Sequence, residues 1–205
     1  MSGLTDFQIR ERIGCLTASR MRDARAMLKK GGESEARFGY KVELVTERLT
    51  GIATTHYVTA AMQRGIDLED AAKEAYEIQT GDVLGPADFY PHPAIEFCGA
   101  TPDSVTKHRL HEFKVPLPTT FVKWMIGGEI PQEHLDQLIL QQACTKIYNT
   151  TFVAYCPEMP EPLRLFIRDF SATSEQIMHV EADARAFLFE VEALYNQLLT
   201  AKEAA

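Results

Sequence analysis

Over residues 18–30 and 36–49, apolar and charged side chains alternate at helical spacing, which predicts two helices separated by Gly31-Gly32 and closed by Gly51. The same period predicts a third helix over 58–78, stopped by Gly81. Between 88 and 115 the texture changes to short β-favouring stretches broken by Pro91, Pro93, Gly99 and Pro102, which predicts three strands in a meander. A helix over 131–148, strands over 152–155 and 163–170, and a closing helix over 174–201 complete the pattern. In that last helix Ile177, Val180, Ala184, Phe187, Val191, Leu194 and Leu198 form one apolar stripe, which packs against the chain's own sheet or against another subunit. The element order predicts an α/β (α+β-like) core with one central mixed β-sheet flanked by helices.

Composition narrows the class. Of 205 residues, 45% are hydrophobic and 24% charged, as in an ordinary globular domain, so wholesale disorder is excluded. The length suits one domain, with a helical part over about 1–85, a sheet-containing core over 86–170 and a terminal helix over 174–203. No apolar run approaches the roughly 20 residues of a membrane span, and the first ten residues hold no signal core, so the expected location is cytoplasmic. Four widely spaced cysteines read as free thiols. The net charge of −8 argues against a general polyanion binder, yet residues 1–48 carry ten basic and seven acidic side chains, which is either a pair of solvated helices, the reading that charge alone favours, or a place to accept a phosphate locally.

Candidate chemistry centres on Leu110-His111-Glu112-Phe113-Lys114-Val115. Strand alternation puts Leu110, Glu112 and Lys114 on one face and His111, Phe113 and Val115 on the other. This is either an exposed ion pair or part of a site. A hairpin would bring Asp103 beside Glu112, giving two hard-oxygen ligands for Mg²⁺ with a lysine alongside. Met62, Gly65, Glu69, Ala72 and Tyr76 share a helix face, where a central carboxylate is either paired, for instance with Arg64, or ligates a metal. The 131–148 helix is apolar nearly all round, so Gln137 and Gln141 need hydrogen-bond partners. Arg12, followed by a turn with Thr17 and Ser19, marks either an anion site or a helix cap.

Together these pieces resemble the lambda-exonuclease-like (YqaJ-type viral recombinase) branch of the PD-(D/E)xK nucleases. The matching elements are Arg12-Ile-Gly-Cys-Leu-Thr-Ala-Ser19, Gly65-x-x-x-Glu69-x-x-Ala72, Gly99-Ala-Thr-Pro-Asp103, Glu112-Phe-Lys114, Gln137 and Tyr155-Cys-Pro157, in family order. Ser104 stands where the family usually has glycine. The resemblance implies a restriction-endonuclease-like fold in a single nuclease domain. It implies a Mg²⁺-dependent 5′-to-3′ exonuclease that leaves a 3′ single-stranded overhang on linear double-stranded DNA for phage-type recombination. Asp103, Glu112, the Phe113 carbonyl and Glu69 would hold metal, two Mg²⁺ ions with Mn²⁺ as a substitute, while Lys114 and Gln137 complete the catalytic set. Arg12, Ser19 and Thr101 would bind the 5′ phosphate and Met62 would act as a wedge. A homotrimer and a single-strand annealing partner are implied too. The alternatives are a non-catalytic DNA-end-binding protein, a structural module with a surface ion-pair network, and a nuclease of different polarity such as the CRISPR-associated iron–sulfur type, for which Cys98, Cys144 and Cys156 lack tight spacing.

Overall fold

The computed structural model describes residues 6–203, so the outer ends of the expected 1–205 domain lie outside the described residues. Helix α1 (Asp6–Arg12) leads through strand β1 (Leu16–Thr17) and a 3-10 turn (Ala18–Arg20) to a short helix α2 (Met21–Ala24). The single helix expected over 18–30 is therefore not formed. Met27 and Leu28, the apolar residues that would continue it, are more than half exposed, so nothing rewards its extension. The chain instead doubles back through Gly31 and Gly32, both at positive φ, with Met27 bridged to Glu33.

Helix α3 (Glu35–Thr50) starts where the Ser34 side chain accepts the Arg37 N–H and ends on left-handed Gly51; α4 (Ala60–Thr80) is capped likewise by Thr59 and Gly81. Strands β2 (Tyr90–Pro91), β3 (Cys98–Ala100), β4 (Ser104–Val105) and β5 (Leu110–Lys114) follow. Helix α5 (Pro118–Gly127) was not anticipated, although Pro118 in its first turn and left-handed Gly128 after its end are ordinary helix punctuation. Helix α6 (Gln132–Thr145) stops at left-handed Lys146, short of the expected 148. Strands β6 (Thr150–Tyr155) and β7 (Leu165–Phe170) and helix α7 (Ser174–Glu203) complete the order.

The central sheet is mixed, as expected, with order β4-β5-β6-β7 and β5 parallel to β6. The expected meander is divided, however. β2 and β3 pair with β1 in a second, three-stranded sheet, and only β4 and β5 join the central one. Every residue of β6 is buried, as in a strand covered on both faces. Ala72 and Tyr76 of α4 cover Phe113 and Val153 on one side, while Phe121 of α5 and Leu138 of α6 cover Phe152 and Ala154 on the other. From Ile177 to Leu194 the α7 stripe packs into a third cluster with α3, α6 and β3, with Phe187 and Val191 fully buried and Phe170 of β7 at its margin, whereas Leu198 is about half exposed.

Candidate active site

Strand β5 separates its residues as alternation requires. His111 and Phe113 turn to α4, where Tyr76 meets their rings at 5.4 and 5.8 Å between centroids. Glu112 turns to α6 and is 1% exposed. Its Oε1 accepts from Lys114 Nζ at 2.5 Å and Gln137 Nε2 at 2.6 Å, and its Oε2 accepts from Gln141 Nε2 at 2.6 Å. Gln137 Oε1 in turn lies 3.3 Å from Lys114 Nζ, so one amide spans the acid and the base. The two glutamines stand one helical turn apart and reach one carboxylate between them.

The β4–β5 hairpin brings Asp103 to this cluster. Its backbone N–H donates to the His111 carbonyl at 3.2 Å, and its Oδ2 accepts the Phe113 N–H at 2.7 Å. A strand residue presents its N–H and C=O on the same edge. The Phe113 carbonyl therefore leaves β5 on the Asp103 side. Ser104 is fully buried and donates to the Gly85 carbonyl at 2.8 Å.

Two acids this close disfavour each other's ionisation. Burial first, and then Glu112, push the Asp103 carboxyl well above the ordinary carboxylate range. Burial pulls the Lys114 ammonium down, but Glu112 and Asp103 outweigh it and leave the lysine above its ordinary value. A hard divalent cation relieves that repulsion, and two carboxylates with a backbone carbonyl are a fitting oxygen donor set. Glu69 also acts electrostatically on Asp103 and Lys114, but its carboxylate is paired with Lys73 at 2.6 Å; Arg64 is engaged by Glu158 instead. Among the described residues, no three Asp, Glu, His or Cys side chains stand together as a finished metal cage. Cys156 lies in a different core cluster from Cys98 and Cys144, so the cysteines do not gather for an iron–sulfur centre.

A second feature is a cavity of about 790 Å³ whose lining includes Arg12, Ser19, Tyr40, Glu47 and Met62. Arg12 Nη1 donates to Thr101 Oγ1 at 3.5 Å, and Thr17 Oγ1 lies 3.4 Å from Ser19 Oγ. Thr17 precedes the 3-10 turn but makes no side-chain cap. The structure thus gathers Arg12, Ser19 and Met62, and ties Thr101, two residues before Asp103, to Arg12. The sequence reading left Gln141 and Glu47 out of the site. Gln141 had a signal as a polar residue on an all-apolar helix, and Glu47 had one as a carboxylate in helical register with buried Tyr40 and Leu44.

A family model described as the YqaJ-like viral recombinase domain matches residues 7–148. The alkaline exonuclease LHK-Exo from Laribacter hongkongensis is 32% identical, with 98% of this chain and 100% of that chain covered and a TM-score of 0.88. A structure of LHK-Exo in complex with dAMP gives the same coverage and a TM-score of 0.89. A phage related exonuclease from Haemophilus somnus 129PT shares the fold at 12% identity, with 92% and 96% coverage and a TM-score of 0.66. No curated protein matches. The family match spans well over half the chain and the LHK-Exo likeness runs its whole length, and on both grounds the chain belongs to the YqaJ-like viral recombinase family.

Proposed function

We propose that this DNA exonuclease uses divalent metal, Mg²⁺ or Mn²⁺ in up to two sites, to digest one strand of linear double-stranded DNA from its 5′ end. The product is a 3′ single-stranded overhang for phage-type recombination. The observation that carries the reading is the acid pair with a lysine on β5: Asp103 anchored on the Phe113 N–H, and Glu112 held by Lys114, Gln137 and Gln141. Asp103, Glu112 and the Phe113 carbonyl would hold the metal, with Glu69 joining them on release from Lys73. Metal bound there supplies Lewis acidity at the scissile phosphate and a more acidic water.

The remaining chemistry belongs to the chain. Lys114 sets a fixed positive charge where negative charge develops during attack on phosphorus. Gln137 and Gln141 hold Glu112 in one orientation, and the Phe113 N–H does the same for Asp103. Arg12, with Ser19 and Thr101, anchors the 5′-terminal phosphate, and Met62, half exposed at the same cavity, wedges the terminal base pair. LHK-Exo is described with dAMP, and a nucleoside monophosphate is the class of product that such hydrolysis releases. The proposal extends to a homotrimer around DNA and to a single-strand annealing protein as partner.

The test is linear duplex labelled separately at each 5′ and 3′ end, digested with Mg²⁺, with Mn²⁺ and with chelator. Early release of the 5′ label, dependent on metal, is the expected result. Release of the 3′ label first reverses the polarity. End binding without any release in either metal makes the chain a non-catalytic DNA-end-binding protein.

A further inference from the structure

Helix α3 grips the turn that follows Arg12 at several points. Glu47, 7% exposed, accepts the Gly14 N–H on Oε2 at 2.7 Å and the Thr54 N–H on Oε1 at 2.7 Å. Its neighbour Arg48 donates Nε to the Gly14 carbonyl at 3.0 Å. About two turns earlier on the same helix, the Tyr40 hydroxyl accepts the Thr17 N–H at 3.2 Å and donates to the Cys15 carbonyl at 3.4 Å. Gly14 has φ +68, and a Cβ there would lie 2.5 Å from Arg48 Cγ. The turn is thus held at both of its peptide groups, in a conformation that favours glycine.

The two loops joined by Glu47 border the same cavity. Gly14 lies two residues after Arg12, and Thr54 lies in the segment that runs to Met62; Arg12, Glu47, Thr54 and Met62 all line the cavity. A carboxylate beside a phosphate site normally repels the ligand. Here each oxygen is held by a backbone N–H, which fixes the group in place, and its charge also acts on the Arg12 guanidinium. Only a carboxylate offers two acceptor oxygens to two such donors; glutamine offers one and turns an NH₂ toward the other N–H.

We infer that Glu47 is a positioning residue for the 5′ end of the substrate: it locks the Arg12 turn to the Met62 loop and so sets the geometry of the phosphate pocket. This rests on the proposed role of Arg12. The test is steady-state digestion of linear duplex bearing 5′-phosphate or 5′-hydroxyl ends by the wild type, Glu47→Ala, Glu47→Gln and Arg12→Ala, with a melting temperature for each. Glu47→Ala is expected to cut the preference for phosphorylated ends about tenfold through KM, with Glu47→Gln intermediate. If Arg12→Ala loses the preference while both Glu47 variants retain it, Glu47 only stabilises the fold and the inference is overturned, though the pocket stands. If Arg12→Ala keeps the preference, the pocket assignment fails and takes this inference with it. Should Glu47→Ala not fold, Glu47→Gln decides alone, since it keeps the size and one acceptor.

Discussion

Gln141 donates its Nε2 to Glu112 Oε2 at 2.6 Å, while its own Oε1, fully buried, has no partner among the described residues. An orphaned buried acceptor costs about 1–3 kcal/mol. The fold therefore bears a cost to place one donor on one carboxylate. Leucine at this position removes both the orphan and the donor. Gln141→Leu is expected to keep its melting temperature within a few degrees and to lower kcat by about 10–100-fold, the scale seen when a group that orients a metal ligand is lost. Parallel melting and single-turnover digestion check it; unchanged kcat would show that Gln137 and Lys114 suffice to hold Glu112.

Lys114 is tied to Glu112 as well, and unlike the two glutamines it carries charge rather than geometry alone. Lys114→Ala is expected to slow cleavage by at least about 100-fold while end binding, measured by anisotropy on labelled duplex, stays within a fewfold of wild type. Full activity in this variant removes the proposed chemistry. Lys114→Met separates bulk from charge and is expected to be as inactive.

The centre of this site was legible because strand alternation and one hairpin are local rules. Leu110-His111-Glu112-Phe113-Lys114 fixes which residues share a face, and nine intervening bonds of chain limit where Asp103 can fold back. The pairing of Glu69 with Lys73 was equally local, four residues apart on a helix, but the buried-stripe reading drew attention to Arg64 instead. Glu47 was harder to see, because its partners are the main-chain N–H groups of Gly14 and Thr54, which no side-chain pattern announces. The division of the expected meander into two sheets depends on β1, a two-residue strand whose pairing with Cys98 and Gly99 spans about eighty residues of chain. Propensity carries no information on such a contact. The failed continuation of the 18–30 helix is the same lesson reversed: its local period was sound, and Met27 and Leu28 found no surface to pack on.

Arg37 joins α3 to α7 through a two-pronged bond to Glu190, at 2.7 and 2.8 Å, with Lys41 adding a third contact at 2.9 Å. The Arg37 bond, reinforced by Lys41, holds the Glu190 carboxyl down at about 2, against 4.5 ordinarily. A depressed carboxylate stabilises the folded chain above its unfolded pKa, and that contribution fades as pH falls from about 4.5 towards 2. Glu190 is 41% exposed, so solvent screening keeps the effect to about 1 kcal/mol or less. Glu190→Gln is expected to lower the melting temperature at pH 7 by a few degrees and to flatten its decline below pH 4.5. A wild-type decline that persists unchanged in the variant assigns the acid lability elsewhere.

His134 gives a second acid-sensitive window at higher pH. It lies on α6 one turn before Gln137 and Leu138, with its ring 5.3 Å from Trp124 and from Phe152, and its buried Nε2 has no partner among the described residues. Burial first, then the Lys114 charge, lowers its pKa from 6.5 to about 3. The folded chain therefore refuses a proton that the unfolded chain accepts, so stability falls as pH drops below about 6.5 and goes on falling until about 3. Replacing the imidazole with an apolar ring of similar size removes both the proton linkage and the unpaired nitrogen. His134→Phe is expected to melt at or above the wild-type temperature at pH 7, and the gap is expected to widen on going to pH 5. Melting curves at half-unit steps between pH 7.5 and 4.5 decide it: a gap that stays constant across that range means that His134 is not the group that takes up the proton.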